Sequence, residues 1–242
     1  MEKLITAENF KNFAYVNDAV CRLPIRGIVL HFFGLGDTSM YHDDTAEGKL
    51  YGQKGILYIV PYSNPWAWMN MQTVALADEL IQSATEKFAL PRDIPVVSSG
   101  GSMGGQSALV YCAYAKRTPI ACVANCPVCD TVYHYSERDD LPRTFYSALW
   151  HEQCSLEQAL QSISPLHLVD RMPKIDYFIF HCSDDEAVNI SRHSDIFVQK
   201  MLESGHSVSY TVVPGRGHCD IGEPMKELYE KYITDAINNT RK

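Results

Sequence analysis

Short apolar runs, most of them apolar on both faces, divide this chain: GIVLHFF (27 to 33), GILYIVP (55 to 61), IPVVSSG (94 to 100), PIACVAN (119 to 125), IDYFIFHC (175 to 182) and HSVSYTVVP (206 to 214). A strand hidden on both faces belongs in a sheet covered by helices, and such sheets are mostly parallel. The segments between them carry helical spacing. In MQTVALADELIQSATEKFAL (71 to 90), Val74, Ala77, Ile81, Ala84 and Phe88 share one face, and Pro91 lies just beyond the end. NISRHSDIFVQKMLESG stops at Gly205, where a C-terminal cap belongs, and EPMKELYEKYITDAINN reads as a last helix. The alternation predicts an α/β fold: one domain with a three-layer, doubly wound, mostly parallel sheet. Only 126 to 174 breaks the rhythm. That stretch is far longer than a usual connection of about 2 to 6 residues, so it is expected to form a helical lid inserted over the carboxyl edge of the sheet.

A formal charge of -8 works against a phosphate backbone as partner, so no nucleic acid is expected. No apolar stretch is long enough for a membrane span, and MEKLITAENFKNFAYV lacks the apolar core of a signal peptide, which points to a cytoplasmic protein without a membrane partner. The 8 cysteines are read as free, mostly buried thiols, because a chain of this size does not need stapling.

Gly100-Gly101-Ser102-Met103-Gly104 fits G-x-S-x-G, and it falls after a strand and before a helix. A hydroxyl at the apex of so tight a turn sits in strained backbone, so the residues two places either side must lack side chains. Gly100 and Gly104 meet that need. The helix that follows aims free N–H groups at the same point, which makes the Met103 N–H a natural oxyanion donor. Dinucleotide and P-loop readings fail on spacing: GGSMGG and GLGDTS do not supply G-x-G-x-x-G, and no Gly-Lys-Ser/Thr stretch exists.

Serine needs a base. Of 9 histidines, His218 stands out in PGRGHCD, directly after the last strand. The imidazole in turn needs a carboxylate, and SDDEAV after the strand IDYFIFHC offers Asp185, with Asp184 as the alternative. A second oxyanion donor is expected from HFFGLGDTSM: the Leu35 N–H, with Phe33 or Gly34 in reserve.

These stretches, GGSMGG, DDEAV and GRGH, resemble the α/β-hydrolase superfamily along nearly the whole chain, and the order Ser, Asp, His agrees with it. Gly105 makes the elbow similar to the GxSxGG form of prolyl-oligopeptidase-like and esterase branches. GLGDT (34 to 38) is similar to the HGLGDT of acyl-protein thioesterases and carboxylesterases, with Phe33 where their histidine stands. The resemblance implies Ser102 as nucleophile, Asp185 as triad acid, His218 as base and an acyl-enzyme intermediate. A serine carboxylesterase acting on small or aromatic esters is the expected activity. A peptidase on short or blocked peptides is the alternative, and a silent binding module the second one. No cofactor or metal is expected, and the partners are a small-molecule ester and at most a second copy of the chain.

Around this chemistry, PYSNPWAWMN places Trp66 and Trp68 for an aromatic substrate wall, with Gly34 and Cys126 close to the nucleophile. The lid adds Tyr133, His134, Phe145 and Trp150, with Arg138, Asp139, Asp140 and Arg143 to latch it or stay solvated. CPVC (126 to 129) is not read as redox or zinc-binding, since no second C-x-x-C completes a ligand set.

Overall fold

A computed structural model describes residues 4–37 and 40–240. Thr38, the last residue of the GLGDT stretch, lies outside them. The strands are β1 (Ala14–Val16), β2 (Gly27–Phe32), β3 (Ile56–Pro61), β4 (Val96–Gly101), β5 (Ala121–Asn125), β6 (Asp176–Cys182) and β7 (Ser207–Val213). They form one 7-stranded sheet in the order β1-β3-β2-β4-β5-β6-β7. Only β1 runs antiparallel to its neighbour; every other pairing is parallel. The sheet is the predicted one with a short edge strand added.

Strand alternation sorts the core into two layers. Ile28, Leu30, Leu57 and Ile59 face α2 (Met71–Lys87), α3 (Met103–Tyr114) and α7 (Ser194–Glu203), whereas Val29, Ile56 and Tyr58 face α1 (Ala46–Gln53) and α8 (Gly222–Asn239). The central helix α3 is buried from Met103 through Cys112, so a polar stripe would have no solvent to meet. α7 begins later than its periodicity predicts. Asn189 Oδ1 takes the Ser191 N–H at 3.0 Å and holds that stretch as a turn. Gly205 then ends the helix at φ 73.

The stretch between β5 and β6 is helical, with α4 (Thr131–His134), α5 (Leu141–Leu149) and α6 (Leu156–Ser162). Asp130 caps α4 through Val132 and Tyr133, and Ser155 with Gln158 forms a capping box on α6. These helices bury their own cluster, Leu141, Phe145 and Leu160, against Trp68, Met103 and Val188. The chain reverses its winding at β2, with β3 on one side and β4 on the other. The loops after β2 and β4 therefore flank a crevice at the carboxyl edge, where open sheets of this kind take ligands.

Asn17 pins the antiparallel edge. Fully buried, it donates to Gly48 O at 2.7 Å and Ile56 O at 3.2 Å and accepts from Tyr58 N–H at 2.8 Å. Asn17→Ala strands these groups away from water, so a loss of about 3 kcal/mol is expected, seen as a lower urea midpoint with unchanged slope.

Candidate active site

Ser102 stands between β4 and α3 at φ 58 and ψ −126. The turn is locked from both sides: its N–H donates to Asn125 O at 2.9 Å, and its carbonyl accepts the Gln106 N–H at 3.0 Å. The flanking glycines are there because nothing larger fits. A Cβ on Gly100 would lie 2.3 Å from Gly104 O, and one on Gly104 would lie 2.1 Å from Phe32 O. Gln106, buried in α3, donates to Trp68 O and Ile163 O and so ties the elbow to the helical insertion.

A cavity of about 700 Å³ opens in front of Ser102, bordered by Gly34, Leu35, His218 and Cys219. Leu35 has no backbone partner for its N–H among the described residues, and Met103, first in α3, has none within the helix. Among the described residues, therefore, neither predicted oxyanion donor is taken by a backbone carbonyl. The cavity's aromatic side comes from residues that sequence reasoning did not single out: Tyr51 on α1 stacks on Tyr58 of β3 with centroids 5.4 Å apart. Burial raises the pKa of both tyrosines, which keeps their hydroxyls neutral. His31 is neutral there as well, lowered to about 4 by burial, and its Nδ1 lies 3.0 Å from Ser99 Oγ.

The predicted substrate residues separate. Gly34 borders the cavity, and fully buried Trp68 touches it while stacking on Phe145 at 4.2 Å and donating to Thr144 Oγ1. Trp66 is not on the wall; its ring lies under the Arg143 guanidinium at 5.2 Å and fastens the loop to the insertion. Cys126 is not on the wall either, being buried behind His218 and Cys219. Its motif partner Cys129 packs in the opposite core layer, so the CPVC thiols do not face one another.

His218 Nδ1 lies 2.6 Å from Asp185 Oδ2. Asp184 is exposed and takes the Ser183 hydroxyl instead. Asp185 is anchored by the Ala187 and Val188 N–H groups at 2.9 and 2.8 Å, and its other oxygen also lies 3.4 Å from His181 Nε2. His181 is a residue that sequence reasoning missed. Its Nε2 faces Val188 O at 3.0 Å and so carries the proton, leaving Nδ1 to accept from Ser194 Oγ at 2.6 Å. Burial opposes the charge on Asp185, but these hydrogen bonds outweigh it and hold the carboxyl well below its usual range. Burial would also lower the His218 pKa, yet Asp185 and Cys126 raise it above the ordinary value. Cys126 is lowered, chiefly by a hydrogen bond from Cys219, against its own burial. His218 Nε2 faces Cys219 Sγ at 3.7 Å, and no hydrogen bond joins the ring to Ser102 Oγ in this arrangement.

A second acid and histidine set fixes the insertion. Glu137 Oε2 lies 2.5 Å from His134 Nδ1 and 3.0 Å from His193 Nε2, while His193 Nδ1 accepts the Cys129 and Asp130 N–H groups, each at 3.2 Å. The latch is therefore made by Glu137 and two histidines, together with the Arg143 contact on Trp66. Of the four charged residues expected there, Arg138 and Asp140 pair with each other at 2.6 Å.

The fold is that of the α/β-hydrolase superfamily, with Ser102, Asp185 and His218 on the loops that follow β4, β6 and β7. Residues 72–234 match the prolyl oligopeptidase family, and the chain belongs to it. Among solved structures, Pyrococcus horikoshii acylaminoacyl peptidase is similar over 80% of this chain and 33% of its own, with a TM-score of 0.62 and 15% identity. A Mycobacterium tuberculosis puromycin-hydrolyzing peptidase is similar over 79% of this chain and 30% of its own, at a TM-score of 0.66 and 18% identity. The chain thus spans about a third of the length of these peptidases. By contrast, it covers 86% of an esterase from Thermogutta terrifontis, with 92% of this chain aligned, a TM-score of 0.66 and 17% identity. No curated protein sequence matches.

Burial opposes ionisation of Glu137, but its two histidine partners prevail and hold its pKa well below the usual carboxylate range. A lowered folded-state pKa contributes stability above the unfolded value of about 4.3 and loses it as pH falls toward the folded one. The stability gap between the parent and Glu137→Gln is therefore expected to hold from about pH 7 to about pH 5 and to narrow from there to about pH 3.5 in urea titrations. A constant gap would contradict this account of the latch.

Proposed function

We propose that this serine hydrolase is a carboxylesterase acting on small or aromatic esters through an acyl-enzyme. One observation carries the reading: Ser102, held at φ 58, opens onto the same cavity as His218, whose other ring nitrogen is bonded to the buried Asp185. Ser102 Oγ attacks the ester carbonyl as its proton passes to His218 Nε2, which turns from Cys219 to the serine while Nδ1 keeps its bond to Asp185. Asp185 holds the tautomer and stabilises the imidazolium. The Leu35 and Met103 N–H groups receive the oxyanion, the alcohol leaves with the proton from His218, and water then releases the acid by the reverse path.

Two features support an ester over a peptide. The tyrosine wall suits an aromatic or apolar group, and an esterase is among the solved structures to which the chain is similar. Membership of the prolyl oligopeptidase family favours the second reading, a peptidase on short or blocked peptides. Eight free thiols support a reducing, cytoplasmic setting, and among the described residues no helix is long and apolar enough to cross a membrane.

A fluorophosphonate is expected to add once, at Ser102, and Ser102→Ala abolishes the adduct by mass spectrometry; labelling that survives the substitution would remove the assignment and leave a binding module. Asp185→Asn is expected to lower kcat by on the order of 10⁴, whereas Asp184→Asn leaves it nearly unchanged. p-Nitrophenyl acetate should turn over faster than aminoacyl anilides, and the opposite ranking makes the protein a peptidase.

A further inference from the structure

Behind the catalytic histidine lie two thiols that ester hydrolysis does not use. Cys126 Sγ, His218 and Cys219 Sγ each offer one donor atom, and all three atoms lie within 4.8 Å of one another. Tetrahedral Zn²⁺, with Zn–S near 2.3 Å and Zn–N near 2.0 Å, sets sulfur and nitrogen roughly 3.5 Å apart and two sulfurs roughly 3.8 Å apart. Cys219 Sγ and His218 Nε2 stand at 3.7 Å. Closing the whole set around an ion thus needs shifts of about 1 Å or less.

We propose that Cys126, Cys219 and His218 form a binding site for a thiophilic divalent ion of the Zn²⁺ class, and that the bound ion reversibly silences the hydrolase. Three further features fit a metal. Asp185 accepts the Nδ1 proton of His218 at 2.6 Å, which leaves the Nε2 lone pair free and pointed at the sulfurs; ligating histidines are held by carboxylates in this way. Cys126 Sγ accepts the backbone N–H groups of Cys182 and Cys219, each at 3.4 Å, donors that favour the charged sulfur. Cys219 and His218 border the cavity, which provides an entry path and room for a fourth ligand from solvent. On binding, each thiol releases its proton to solvent as its S–Zn bond forms, and Nε2 donates its lone pair to the ion; no electron changes hands. Soft sulfur and imidazole donors favour Zn²⁺ over Mg²⁺ or Ca²⁺. The silencing rests on the proposed role of Nε2 as acceptor of the serine proton, since a lone pair given to metal cannot take it. The binding does not rest on that role.

The test uses the purified, reduced protein with Zn²⁺ in calorimetry and with Co²⁺ as an optical probe. One equivalent should bind, with a thiolate-to-cobalt charge-transfer band. Cys219→Ala and Cys126→Ser should each weaken binding by on the order of 100-fold or more, and Asp185→Asn by about 10- to 100-fold. Ser102→Ala should bind like the parent, so the metal site is read even if the hydrolase assignment fails. Circular dichroism of each variant checks that it is folded. In the parent, Zn²⁺ should slow fluorophosphonate labelling and ester turnover, and a chelator should restore both; in Cys219→Ala, Zn²⁺ should leave that variant's own zinc-free rate unaltered. Absence of a thiolate band, or undiminished binding by folded Cys219→Ala, overturns the site. Tight binding without loss of labelling overturns the silencing and leaves the site standing.

Discussion

Backbone meets backbone without side chains between them where the turn after β4 presses against the end of β2, and every later feature of the site is placed by that contact. Gly104 approaches Phe32 O so closely that any Cβ would collide, and Gly100 does the same against Gly104 O. Strain of the kind stored in Ser102 persists only where its surroundings overdetermine it. Here they do so with hydrogen bonds on both sides of the residue, its N–H donating to Asn125 O and its carbonyl accepting the Gln106 N–H. The same contact brings the loop after β2, with Gly34 and Leu35, beside the hydroxyl. A close-packed turn thereby becomes a place where amide protons from two loops can converge on one point.

Charge is then distributed by pairing buried and half-buried carboxylates with more than one donor. Asp185 is reached by two histidines and two backbone N–H groups, and Glu137 by two histidines and the Asn189 N–H. An isolated buried anion would be costly, whereas one fully supplied with donors is rigid. Val188 links the two sets, since its N–H anchors Asp185, its carbonyl holds His181, and its side chain packs into the core of the insertion. The insertion and the acid loop therefore form one piece of structure around the cavity.

Three residues with positive φ meet beside this machinery: Ser102, Cys126 and Cys219, at φ 58, 43 and 61. Cys126 follows β5 as Ser102 follows β4, so neighbouring parallel strands end in comparable sharp bends. One imidazole shares the cavity with the hydroxyl on one bend and stands against the thiols. The features that make its Nε2 a proton acceptor, a fixed tautomer and a carboxylate behind the ring, are those a metal ion requires.

The fold class was written in the order of residues because it depends on short-range periodicity: strands apolar on both faces, helices with one apolar stripe, and a glycine on either side of Ser102. β1 escaped notice because three residues carry no period, and it is pinned by the bonds that Asn17, next in the chain, makes with the distant Gly48, Ile56 and Tyr58. Trp66 and Trp68, two places apart, went to different surroundings because the chain turns through φ 43 at Trp68. Asp185 was preferred to Asp184 on the sequence, and the packing of the loop turns Asp185 inward through the Val188 N–H while Asp184 stays exposed. The meeting of Cys126 with Cys219, 93 residues later, has no local signature at all. Sequence alone determined the sheet, the elbow and the kinds of residue available to it; tertiary structure decided which side chains touch, because contact between distant segments is set by strand order and by the direction each loop takes on leaving its strand.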